Sequence, residues 1–423
     1  MRRGIAATAV VAALTMTAAA CGGDDGDSGK KSGGKLSGTV TFWDTSNDAE
    51  KATYEKLAKG FEDLHPGVKV NYVNVPFGEA NAKFKNAAGG NSGAPDVMRT
   101  EVAWVADFAN LGYLAPLEGT AALDKPDDYL PQAAASTKFK GKTYAAPQTI
   151  DTLALFYNKK MLKDAGVEVP KTFDDVESAA KKIKSKSGRT GLYLRGDDPY
   201  FYLPYLYGEG GDLLDTKKKE ITVDDAEGAK AFEVMKGLVD SKAAVTDASD
   251  GYNNQLNAFK DGDVAMALDG PWSIEGALQG KQFKGDKANL GVAPVPGGSA
   301  RQASPQGGWN LAAYAGSKNL DASYEFIKYM SSAKVQQQTT EKLSLLPTRT
   351  SVYDVKSVKD NQMVQFFKPA VDKSVQRPWI PEANSLFEPI RLEMQKVLSG
   401  KSSPEDGAKG IGDAYRKLLK DYK

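Results

Sequence analysis

The sequence predicts an α/β protein built as two lobes. Three observations carry that reading. Strand-like segments, alternating or continuously apolar, are followed repeatedly by segments whose apolar residues recur at helical spacing. The first three segments run strand, helix, strand, a unit that favours a parallel sheet with a right-handed crossover. The length, 423 residues, suffices for two domains with sizeable cores.

Order is expected to begin near Leu36. Thr39-Val40-Thr41-Phe42-Trp43 alternates and is rich in β-formers, so it reads as a strand, followed by a polar turn from Asp44 to Asp48. Tyr54, Leu57, Ala58, Phe61 and Leu64 then fall at helical spacing, and Pro66-Gly67 ends that helix. Val68, Val70 and Tyr72 alternate as the next strand. Ligands of such sheets collect at the carboxyl ends of the strands, where Asp44 is expected. Pro95 to Met98 reads as a short buried strand, with a helix through Trp104, Phe108 and Leu111 behind it. Leu153 to Tyr157 is an apolar strand. Thr172 is a good N-cap, Asp175 is spaced to complete a capping box, and Val176, Ala179, Ala180 and Ile183 form the buried face of the helix they open. Val264 to Leu268 is another strand, running into Asp269-Gly270-Pro271-Trp272. Phe326, Ile327 and Met330 mark one late helix, and Phe387, Ile390, Met394 and Val397 another. Alternation of this kind gives α/β architecture.

Composition removes several classes of function. The formal charge is +1 with mixed signs along the chain, which lacks the basic footprint of a nucleic-acid binder. Cys21 is the only cysteine, so disulfides and cysteine-based metal sites are excluded. The single histidine, His65, sits at a predicted helix end, where capping or surface exposure is its expected role. Hydrolytic triads and zinc sites are thereby left without their usual base and ligand. Walker-type phosphate loops, HExxH and GxSxG are absent. No cofactor or metal is implied, and only carboxylate-based catalysis stays open.

The amino-terminal segment has the build of a secretion signal: Met1-Arg2-Arg3, an apolar run from Ile5 to Ala20, then Cys21 and Gly22-Gly23. The run is short for a membrane-spanning helix, which needs about 20 residues. A cysteine directly after Ala18-Ala19-Ala20 resembles the lipobox of bacterial lipoproteins. That resemblance implies a signal peptide of residues 1–20, cleavage before Cys21, and lipid on its sulfur. Each buried methylene contributes roughly 0.8 kcal/mol, so two or three acyl chains anchor durably. Residues 21–35, almost wholly Gly, Asp, Ser and Lys after Cys21, read as a flexible tether.

Seven stretches, in order along most of the chain, resemble the extracellular solute-binding proteins of ABC importers, in the sugar-binding branch that includes maltose-binding protein. They are Phe42 to Thr45, Pro95 to Glu101, Gly141 to Lys159, Pro170 to Asp175, Phe259 to Trp272, Gly307 to Asn310 and Leu345 to Arg349. The likeness is to the maltose/maltodextrin-binding lipoproteins of high-GC Gram-positive bacteria. It implies a clamshell with a hinge and an interlobe ligand cleft: one lobe of residues 36–149 plus 304–349, the other of 151–303 plus 350–423. It also implies an oligosaccharide ligand, permease subunits as partners, a monomer, and attachment to the membrane through Cys21.

Sugars offer hydroxyls around the ring edge and C–H groups on the faces, so a good site combines charged acceptors and donors with aromatic rings. By the resemblance, Trp272 after Gly270-Pro271, Trp309 after Gly307-Gly308, and Phe387 are the stacking aromatics. Phe387 also has the i+3 and i+7 apolar partners of a core residue. Asp151 matches a sugar-binding acid just past the hinge, and Asp198 with Tyr200 resembles a Glu-Pro-Tyr-Phe stretch that brings a carboxylate and a tyrosine into the cleft. Arg377 matches an arginine that reaches sugar. Arg99 and Glu101 are expected either to bind sugar or to pair with each other, and Asp44 either to accept a hydroxyl or to cap the following helix. The competing reading is a glycoside hydrolase working with two carboxylates; an importer binding protein for another sugar, such as trehalose, a galactoside or a pseudo-oligosaccharide, or for a different solute, is a further alternative.

Overall fold

The computed structural model describes residues 36–423; the leader, Cys21 and the tether lie outside them. Two sheets organise the described chain. The first has six strands in the order Leu346–Pro347, Ala146–Asp151, Gly307–Ala313, Val97–Glu101, Gly38–Asp44 and Val68–Asn74. The second has five, in the order Ala244–Asp247, Thr190–Arg195, Val264–Asp269, Ala154–Asn158 and Leu290–Pro294. Together they make the two-lobe α/β clamshell that the alternation and the resemblance predict. The chain passes between the sheets within two residues, because Asp151 ends a strand of the first and Ala154 begins one of the second.

The opening strand–helix–strand unit forms as read. Lys51–Leu64 is helical between the parallel strands Gly38–Asp44 and Val68–Asn74. Its Tyr54, Ala58 and Phe61 are fully buried against Val40, Phe42, Val68 and Phe326. His65 is its C-cap and lays its ring against Phe61 at 4.3 Å. The Thr172–Asp175 capping box opens Phe173–Ser187, with each side chain accepting from the other's backbone N–H.

The parallel pairing expected of the opening unit is observed, but it does not extend across the sheets. Both sheets are mixed. Gly307–Ala313 runs antiparallel to Val97–Glu101 and to Ala146–Asp151, and Val264–Asp269 runs antiparallel to Ala154–Asn158. The chain leaves the first sheet after Asp151, builds the second, and returns at Gly307, so the returning strand enters the first sheet from its opposite end. Two strands of the first sheet, Ala146–Asp151 and Gly307–Ala313, carry proline or paired glycine and lack clear alternation, so the pattern did not reveal them. Among the described residues no helix is long and apolar enough to cross a membrane.

Candidate binding cleft

One end of the six-stranded sheet gathers five of the sequence-selected residues. Asp44, Glu101 and Asp151 each terminate a strand, Arg99 lies two residues before one such end, and Trp309 sits beside Glu101 in the register. Strand ends present side chains and unpaired backbone groups to a crevice, which is why ligands collect there. Gly308, next to Trp309, has φ +141°, and a Cβ there would lie 2.4 Å from the Thr149 carbonyl oxygen, so only glycine lets the strands approach this closely.

Arg99 is the hub beneath Trp309. It is buried, and its guanidinium carbon lies 4.3 Å from the Trp309 ring centroid and 4.7 Å from that of Tyr54, a cation in contact with two rings. Its Nε donates to Gln148 Oε1 at 2.8 Å, and it faces Asp44 and Glu50, each at 3.9 Å. Asp44 does not cap the following helix. Its carboxylate accepts from the Ser46 hydroxyl and from the Tyr72 hydroxyl at 2.5 Å, and the residue is fully buried. Glu50 has no side-chain hydrogen bond of that kind. Loss of hydration pushes its carboxyl up to about 7, with Arg99 opposing the shift and Asp44 reinforcing it.

Arg99 and Glu101 do not pair with each other. Glu101 is bound by the Nη2 of Arg377, whose Nε donates to the Gln306 carbonyl at 3.0 Å. Arg377 is itself buried and lies 5.3–5.6 Å from the ring centroids of Tyr200, Phe387 and Trp379. Asp151 is 7% exposed, yet none of the hydrogen bonds among the described residues reaches its carboxylate. Burial pushes its carboxyl up to about 7, helped by Glu101 and opposed by Arg377 and Arg99.

The second lobe contributes rings and one capped acid. Asp198 accepts from the Tyr200 backbone N–H at 2.9 Å and lies 3.6 Å from Arg195, so its shorter side chain serves the turn Pro199–Tyr202 as its N-cap. Tyr200 is half-buried and donates to the Pro305 carbonyl at 3.0 Å, whereas Tyr202, Tyr205 and Tyr207 belong wholly to the core. Trp272 is half-buried with its ring 6.4 Å from that of Tyr200. Phe387 is half-buried at the start of Phe387–Leu398: it packs on the core and also lines the Arg377 guanidinium.

Several cleft residues escaped the sequence reading. Phe77, 51% exposed, stacks on Trp104 at 5.4 Å and 9°, and both rings meet Trp309 edge to face. The Trp104 indole N–H donates to Asn384 Oδ1 at 3.0 Å, and Asn47 Nδ2 donates to the Trp272 carbonyl at 3.2 Å. With Glu101–Arg377 these contacts join residues of the first sheet's strand ends and the segments beside them to Trp272, Arg377 and Asn384. Glu50 and Gln148 lie buried around Arg99, and Trp379 lies beside Arg377. Trp104 reads as one of several apolar residues on a helix, so nothing local marked it. Among the described residues, the buried atoms Arg99 Nη1, Gln148 Nε2, Thr149 Oγ1 and Trp379 Nε1 have no protein hydrogen-bond partner.

Comparison with known proteins assigns the architecture. Residues 45–337 match the model of the bacterial extracellular solute-binding protein family. The diacetylchitobiose binding protein DasA of Streptomyces coelicolor is 30% identical, with 99% of each chain covered. The maltotriose-binding protein of Pyrococcus abyssi is 26% identical, over 86% of this chain and 78% of the relative. Among solved structures, the GacH receptor of Streptomyces glaucescens GLA.O, studied unliganded and with acarbose and an acarbose homolog, is 74% identical. It superposes with a TM-score of 0.91 over 92% of this chain and 100% of its own. The chain belongs to the bacterial extracellular solute-binding protein family, whose members bind solutes and are not enzymes; the glycoside hydrolase reading is set aside on that ground.

Proposed function

We propose that this extracellular solute-binding protein grips a glucose-based oligosaccharide of the maltodextrin or acarbose type between its lobes. It hands the ligand unaltered to the transmembrane subunits of an ABC importer. The observation that carries the ligand class is the pairing of flat rings with charged acceptors: Trp309, Phe77 and Trp104 on one lobe, Trp272, Tyr200 and Phe387 on the other, with Asp151 between them. Rings suit the C–H faces of pyranoses, and carboxylates suit their hydroxyls, at about 1.5–3 kcal/mol per charged hydrogen bond. The 74% identity to a receptor crystallised with acarbose supports a pseudo-oligosaccharide alongside maltodextrins. Residues 36–149 plus 304–349 and residues 151–303 plus 350–423 are the two moving bodies, hinged near Asp151. Lipid on Cys21 holds the protein at the outer face of the cell membrane.

Calorimetric titration with acarbose, maltotetraose and diacetylchitobiose tests the reading. Binding of either of the first two, weakened at least about tenfold in Trp272→Ala, is the expected result. Heat only with diacetylchitobiose, or unchanged affinity in the variant, overturns it. Cys21→Ser is expected to release the protein from the membrane fraction into the medium.

A further inference from the structure

We infer that Arg99 is a positioning residue for ligand binding: it makes no contact with the sugar and acts by holding the Trp309 ring at a fixed tilt. The inference rests on the oligosaccharide reading above and deepens it, because it names what sets one of the rings in that site. Arg99 is 1% exposed and Trp309 is half-buried, so of the two only the ring offers area to a ligand. The ring takes little orientation from its own strand. Gly307 and Gly308 precede it with no side chains to lean on, and the pairing with Ala146–Asp151 shifts register between Trp309 and Asn310.

Side chains from other elements hold it instead. The Arg99 guanidinium carbon lies 4.3 Å from its centroid, and the Phe77 and Trp104 rings meet it at 5.5 Å and 79° and at 6.3 Å and 88°. Arg99 is itself held by several partners. Its Nε donates to Gln148 Oε1 at 2.8 Å, its Nη2 lies 3.5 Å from the Tyr54 hydroxyl, and Asp44 and Glu50 balance its charge at 3.9 Å each. Its Nη1 is buried and has no oxygen or nitrogen acceptor among the described residues, which leaves aromatic faces to compensate that N–H.

A planar guanidinium stacks on an aromatic ring as a compact ammonium does not, so shape as well as charge fixes the ring. A ring ordered before the ligand arrives does not have to be ordered on binding, which raises affinity about 5- to 10-fold for one such side chain. The run of contacts is Gln148 to Arg99 to Trp309: a buried cation with no surface of its own serves the ligand through the ring above it.

The test is a double-mutant cycle read by calorimetry with maltotetraose and with acarbose. Arg99→Lys keeps the charge between Asp44 and Glu50 and loses the planar group. It is expected to weaken binding about 5- to 10-fold in the wild-type background and by less than about twofold in Trp309→Ala. An equal loss in both backgrounds, the mark of direct sugar contact or of a general structural defect, overturns the proposal, and so does wild-type affinity in Arg99→Lys. Should Arg99→Lys fail to fold, Gln148→Met decides by the same cycle, because it removes the acceptor of the Arg99 Nε and no other side-chain bond of Gln148 Nε2. A loss that disappears in Trp309→Ala supports the proposal; no loss, or an equal one, overturns it. Trp309→Ala that binds as tightly as wild type also overturns it, with the oligosaccharide reading left standing. Wild type that binds neither sugar overturns that reading, and the proposal with it.

Discussion

Replacing Glu50 by glutamine should stabilise the ligand-free protein at alkaline pH and leave it nearly unchanged at acidic pH. Glu50 is buried beside one guanidinium that already faces Asp44, and its carboxyl is pushed from 4.5 up to about 7. Because the folded value is the higher one, the folded state holds the proton between those limits. The stabilisation is therefore full below 4.5 and is lost as pH rises through 7. A difference of 2.5 units, at about 1.36 kcal/mol per unit, gives about 3 kcal/mol. Glutamine keeps the shape and does not ionise, so the variant escapes that loss. Its Arg99 retains Asp44 at 3.9 Å, one charge for one charge. Urea unfolding at pH 5 and 8.5 should give a variant-minus-wild-type difference larger by about 2–3 kcal/mol at the higher pH. Relief of Asp151, which feels Glu50, acts in the same direction. A difference that is the same at both pH values would refute the account of an overcharged cluster around Arg99.

Other expectations follow from single contacts. Asn384→Ala leaves the buried Trp104 indole N–H without its acceptor in the closed cleft, at about 1–3 kcal/mol, so ligand affinity should drop roughly 5- to 150-fold by calorimetry. Gly307→Ala places a methyl within 2.1 Å of Asp151 Oδ1, which should abolish ligand-induced tryptophan fluorescence change while the far-ultraviolet circular dichroism stays that of wild type. Thr172→Ala removes one half of a capping box remote from the cleft, and should cost about 1 kcal/mol in urea unfolding with calorimetric affinity unchanged.

The sequence by itself determined the local elements and their class. Apolar spacing located the helix Lys51–Leu64 and the strands around it, and the threonine–aspartate spacing located a helix start, because those signals depend only on neighbours along the chain. It also selected the residues at strand ends, and Asp44, Arg99, Glu101, Asp151 and Trp309 do share one end of one sheet. Their pairing was decided only by the tertiary structure. Arg377 meets Glu101 from far along the chain, Trp104 meets Asn384, and Arg99 finds Glu50, Tyr54 and Gln148 instead of its neighbour Glu101. A charge's partner in a folded protein is set by which strands lie side by side and which lobe closes over them. Here the sheets are interleaved from discontinuous segments, so no local pattern encodes that adjacency.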